Sequence, residues 1–157
     1  MPTSTRPRPP LPDLPCACET LRRAARLVTQ LYSAEMGRDM EPSQFSLLSA
    51  LSQMRGASQA SLGRALGLDK TTMSRNLRLM QSNGWIKPVK ADDGRQRGYR
   101  LTPAGEKMHA AGKASWMRTQ ERLRAELGDG DWEAMFEVIG RVAEATGALS
   151  NQPDGAS

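Results

Sequence analysis

One residue, Leu68, separates Gly67 from Asp69. Glycine takes the left-handed backbone that ends a helix, and aspartate is among the residues that begin one. Two helices must therefore meet within one tight turn. The first starts at Ser58, an N-cap hydroxyl, and carries Leu62, Ala65 and Leu66 over about two turns. The second runs from Lys70 to about Asn83, where Gly84 stops it. Trp85-Ile86-Lys87-Pro88-Val89-Lys90 then reads as a strand, 91–98 as a polar turn helped by Gly94 and Gly98, and Tyr99-Arg100-Leu101 as the return strand. Pro88 lacks an N–H and places the first strand at an edge. A helix pair followed by a two-stranded hairpin is a winged helix-turn-helix.

Helical patterns flank this unit. Leu21, Ala24, Ala25, Val28, Leu31 and Tyr32 recur at three and four, and Gly37 ends the run. Pro42 suits a first helical position, and Phe45, Leu48, Leu51 and Met54 continue that helix until Gly56. Thr102-Pro103 opens a long helix with Met108, Trp116, Leu123 and Leu127 on its apolar side. After a turn at 128–131, Trp132, Met135, Ile139, Val142, Thr146 and Leu149 form a seam of coiled-coil type. The expected fold is mainly α with a small β-wing. Residues 1–15 are expected to be a flexible proline-rich arm, 16–37 an N-terminal dimerisation helix, and 38–103 the winged helix-turn-helix domain. Residues 104–149 are then C-terminal dimerisation helices and 150–157 a flexible tail. The terminal seams exceed what one small domain must cover, so they are expected to interlock across a two-fold axis.

Charge narrows the function. Arg64 to Arg100 holds nine basic residues and three acids, while Thr119 to the end holds three basic residues and eight acids. A positive segment inside a chain of net charge +5 is the footprint of a polyanion site. Two cysteines cannot build a disulfide scaffold, and no apolar run approaches a membrane span. Neither do the first fifteen residues hold a signal-type apolar stretch, so a cytoplasmic protein without membrane partners is expected. His109 is the one histidine, with no acid–base, nucleophile or metal set around it. It is expected to be a solvated or packing side chain on the long helix, and no catalytic residue, metal or cofactor is expected.

On the second helix of the pair, Met73, Leu77 and Met80 form the buried stripe, leaving Lys70, Thr71, Ser74, Arg75 and Arg78 largely on the other side. That face has hydroxyls, a guanidinium able to meet guanine bidentately, further phosphate-binding cations, and no acid after Asp69. Arg95 and Arg97 are expected near the tip of the turn, where a guanidinium can enter a minor groove, with Asp93 placed to orient Arg95. Double-stranded DNA is the expected partner. A winged helix that contacts protein instead of DNA is the competing reading, and it would need neither the basic segment nor the acid-free face.

The block Gly67-Leu68-Asp69-Lys70-Thr71-Thr72-Met73-Ser74-Arg75-Asn76-Leu77, then Asn83-Gly84-Trp85-Ile86, Asp93-Gly94-Arg95 and Leu101-Thr102-Pro103-Ala104-Gly105, resembles the MarR family of bacterial transcriptional regulators. The resemblance implies a homodimeric repressor or activator on a pseudo-palindromic operator. It also implies loss of DNA affinity when a small phenolic or aromatic acid, a metal or an oxidant acts on the protein. By position, Thr71, Thr72, Ser74, Arg75 and Arg78 would read or clamp the major groove, with Arg95 as the wing-tip arginine and Asp93 its partner. Candidate effector positions are Cys16 and Cys18, for a thiol-reactive oxidant or metalloid, and Tyr32 and Trp116, for a small molecule.

Overall fold

The computed structural model describes residues 16–91 and 97–150. The expected N-terminal arm, the wing turn at 92–96 and the tail from 151 lie outside these residues. Six helices and two strands follow in order: α1 Ala17–Met36, α2 Pro42–Gln53, α3 Gln59–Leu66, α4 Lys70–Ser82, β1 Ile86–Lys90, β2 Arg97–Leu101, α5 Pro103–Leu127 and α6 Asp129–Ser150.

Local chemistry sets most of these boundaries. Glu41 and Gln44 form a capping box around Pro42, satisfying two N–H groups that the first turn of α2 would otherwise leave open. The Ser58 hydroxyl accepts from Ser61 N–H, and Gly67 closes α3 in the left-handed conformation. Asp69 caps α4, and Thr102, with Pro103 behind it, caps α5.

The core gathers where α2, α3, α4 and the wing meet. Leu47, Leu48 and Leu51 come from α2, Leu62 from α3, Met73, Leu77 and Met80 from α4, and Ile86 and Tyr99 from the strands. Met54, expected on the α2 stripe, follows the helix end with φ −105° and ψ 65° and is exposed. Leaving the helix turns its side chain off the stripe.

β1 and β2 pair antiparallel, from Ile86 opposite Leu101 to Lys90 opposite Arg97. Two features differ from expectation here. Arg97 opens β2 and is paired, so it stands in the ribbon and not in the turn. Gly98 serves a close approach and not a reversal, since a Cβ there would collide with the Gly56 carbonyl. Gly56 N–H donates to Tyr99 O (3.0 Å), Tyr99 N–H to Ala57 O (3.1 Å), and Ser58 bridges Gly98. The wing is thereby tied by backbone to the start of α3.

A second junction ties α5 to the turn after α4. Thr102 Oγ1 donates to Gly84 O (2.6 Å), and Thr102 N–H donates to Trp85 O (2.9 Å). Gly105 lies against that same Trp85 carbonyl, where a Cβ would collide. Farther along α5, His109 stacks on Phe45 with centroids 5.6 Å apart and bonds through Nε2 to Ser49 Oγ (3.1 Å).

The terminal helices are only lightly covered. α1 has no buried residue, although Leu21, Leu27 and Val28 recur along it. On α6, Phe136, Val138, Ile139 and Val142 are exposed, Phe136 by 55%. Glu35 of α1 pairs with Arg118 (4.0 Å) and Arg122 of α5, which anchors the end of α1. Among the described residues, no helix is long and apolar enough to cross a membrane.

Two outcomes follow. Gly105→Ala should cost about 1–3 kcal/mol, because backbone at both sides of the junction must shift. Gly130→Ala, with open space around it, should be neutral or slightly stabilising. Urea melts at fixed protein concentration separate the two. Burial, and then the Lys113 ammonium, lower the His109 pKa. The unfolded chain therefore holds that proton more tightly, and stability falls as pH drops below about 6.5. His109→Gln should flatten this part of a thermal-melt pH profile.

Candidate nucleic-acid interface

α4 buries Met73, Leu77 and Met80, and the 3.6-residue repeat then places Thr71, Arg75 and Arg78 together on the opposite side. All three are exposed, as is Lys70. None of these cations forms an ion pair with a described acid. The described ion pairs join Glu19 to Arg22, Glu35 to Arg118 and Arg122, Arg124 to Asp129, and Glu137 to Arg141. Every one lies in α1, α5 or α6, or at their ends. Among the described residues, the ion pairs thus lie on the terminal helices, and none involves a cation of the helix pair or ribbon.

The acid nearest this face is fully engaged. Asp69 Oδ1 accepts from the N–H groups of Thr71 and Thr72 (both 2.9 Å), and Oδ2 accepts from Thr72 Oγ1 (2.6 Å). Hydrogen bonding, first from the Thr72 hydroxyl and then from Thr72 N–H, lowers the Asp69 pKa. Thr72 has therefore given its hydroxyl proton to the cap, and only its lone pairs remain for an outside partner.

Ser74 sits at the flank of α4 that faces α3, and it is half-buried. Gln59 Nε2 donates to Ser74 Oγ (2.6 Å) and to Lys70 O (3.2 Å). This side chain braces α3 against α4 across the turn. Gln59 was not among the sequence candidates. Its only signal was a polar residue just after the Ser58 cap, and the contact spans fifteen positions.

On the ribbon, Lys87 stands opposite Arg100 and Lys90 opposite Arg97, all four exposed. Asp93 and Arg95 lie outside the described residues.

Of the effector candidates, Cys16 is the N-cap residue of α1 and Cys18 lies in its first turn, both exposed and free. Arg22 Nη2 approaches Cys18 Sγ at 3.4 Å. No group of three or more potential ligands for a metal ion occurs among the described residues. Tyr32 and Trp116 do come together, with Val28, Met36 and Phe45, around a cavity of about 270 Å³. Burial raises the Tyr32 pKa and keeps the phenol protonated. A larger cleft, about 680 Å³, lies between α2, α3 and α5, and Phe45 and Trp116 line both spaces.

Comparison with known proteins agrees with this architecture. Residues 38–97 match the model of the MarR family. The uncharacterized HTH-type transcriptional regulator YwoH of Bacillus subtilis is 25% identical over 124 residues, covering 76% of this chain and 88% of that protein. The transcriptional regulator MosR of M. tuberculosis, solved in complex with DNA, superposes with a TM-score of 0.76 at 29% identity, over 85% of this chain and 98% of that one. The PcaV regulator of Streptomyces coelicolor, solved with its natural ligand, shares the fold with a TM-score of 0.78 at 23% identity, over 88% and 99% of the two chains. The helix pair and ribbon of this chain form a winged helix-turn-helix, over a stretch that is similar to the MarR family.

Proposed function

We propose that this protein is a DNA-binding transcriptional regulator, a repressor that grips a pseudo-palindromic operator as a homodimer in the cytoplasm. The observation that carries the reading is the bare cationic face of α4, where Thr71, Arg75 and Arg78 stand together without a described counter-ion. MosR, solved with DNA, supports the same use of the fold. Arg75 contacts a guanine edge, Lys70, Thr71 and Arg78 hold phosphates, and Thr72 and Ser74 set the helix in register. Arg97 and, beyond it, Asp93 and Arg95 carry the wing toward the minor groove.

One such unit covers too little DNA for an operator, and two placed about 34–36 Å apart match successive turns of the duplex. The exposed apolar residues of α1 and α6 favour dimerisation helices at 16–37 and 104–149 around a domain at 38–103. A small molecule in the cavity beside Tyr32 and Trp116, or oxidation at Cys16 and Cys18, is the means of release in this reading. Both positions lie in or against α1, whose packing would set the spacing of the two units.

Binding to a DNA fragment flanking the protein's own coding region tests the proposal. A log–log plot of affinity against salt should fall steeply, each neutralised phosphate adding about −0.9 to the slope. Arg78→Ala should reduce that slope by about one phosphate. Arg75→Ala should cost about 1–3 kcal/mol on the operator and little on random DNA. A flat salt response would instead favour a winged helix that docks on protein.

A further inference from the structure

A groove of about 300 Å³ lies between the wing ribbon, the end of α2 and the start of α5. Arg55, Lys87 and Arg100 line it, with Glu106 and His109 from α5 and Leu51 beneath. Lys87 and Arg100 are direct register partners on the antiparallel strands. Side chains so placed have Cβ atoms about 5 Å apart, and like charges there repel. Arg55, which follows α2, adds a third cation to the lining. Among the described residues Glu106 is the one acid in the groove, and it forms no ion pair with any of them. No other described acid pairs with them either. Three exposed cations thus border one concave, partly apolar space.

We propose that this groove binds a compact dianionic oxyanion, of the kind presented by a phosphate monoester or a small dicarboxylate, held by Arg55, Lys87 and Arg100. The charges match: three cations and one carboxylate leave two positive charges to balance. Two guanidinium groups lining one groove suit oxyanions, which they hold through paired N–H donors. The volume suits a small molecule. None of the lining residues belongs to α3 or α4, so the groove is not built on the helix pair that carries the DNA-facing side chains. The site goes beyond DNA recognition and does not require it.

Titration calorimetry on the full-length protein without DNA tests it, with inorganic phosphate and succinate as probes and acetate at matched ionic strength as control. The expected result is one phosphate or succinate per chain and no measurable acetate binding. Arg55→Gln and Arg100→Gln should each weaken binding at least about tenfold, the loss of one charge-assisted contact. Both substitutions are at exposed side chains, and unchanged thermal melts without the probes would show that the fold is kept. Arg75→Ala, on α4, should leave the affinity unchanged. Full-strength binding in both glutamine variants would overturn the proposal, as would acetate binding as well as succinate. A third result would overturn it too: no binding of either probe, with Arg100→Gln lowering DNA affinity and its salt slope, would make the groove a backbone contact. Loss of DNA binding alone would leave the calorimetric result standing, so the two readings fail separately.

Discussion

A thirteen-residue helix that buries Met73, Leu77 and Met80 has one face left to offer. Burying such side chains is worth about 1.5–3 kcal/mol each. Repulsion between two exposed cations in water is about 1 kcal/mol even at contact distances, and less at the spacing of a helix turn. The apolar stripe therefore fixes the rotation of α4, and Lys70, Arg75 and Arg78 must tolerate one another on the outside. Asp69 caps the helix start, its ionised carboxylate held by three hydrogen bonds. An uncapped aspartate at the same place would offer a phosphate a free negative charge.

That orientation matters only if the neighbours hold it. Gln59 locks α3 to α4, the backbone bonds of Gly56, Ala57 and Ser58 to β2 lock the wing to α3, and Thr102 locks α5 to the turn after α4. Gly98 and Gly105 allow the two closest backbone approaches, so both joints depend on the absence of a side chain. Helix pair and ribbon are thereby joined into one packed unit. The division of charge runs along the same boundary. Among the described residues, the ion pairs lie in α1, α5 and α6 or at their ends, and the cations between them take part in none.

The parts of this structure that were legible in the sequence are those set by neighbours a few residues apart. Caps at Ser58, Asp69 and Thr102, stops at Gly67 and Gly84, and the Met73–Leu77–Met80 stripe all follow from local spacing, and all stand where the spacing puts them. Contacts made across the fold were not legible. Ser74 reads as a surface hydroxyl until Gln59 is seen bonded to it. Gly98 reads as a turn glycine because turns and tight packing select the same residue. The groove of Arg55, Lys87 and Arg100 draws on three elements and shows no spacing at all. The stripes of α1 and α6 are apolar in sequence, and Leu21, Leu27, Val28, Phe136, Val138, Ile139 and Val142 on them are exposed among the described residues.

The most direct measurement is protection of guanine N7 from dimethyl sulfate on the protein's own promoter fragment, since N7 lies in the major groove where Arg75 is placed to reach it. The account predicts two protected patches centred about 10 base pairs apart on one face of the duplex, both lost in Arg75→Ala while overall DNA binding persists. Tight binding with every guanine N7 still reactive would contradict it, because α4 would then not lie in the major groove.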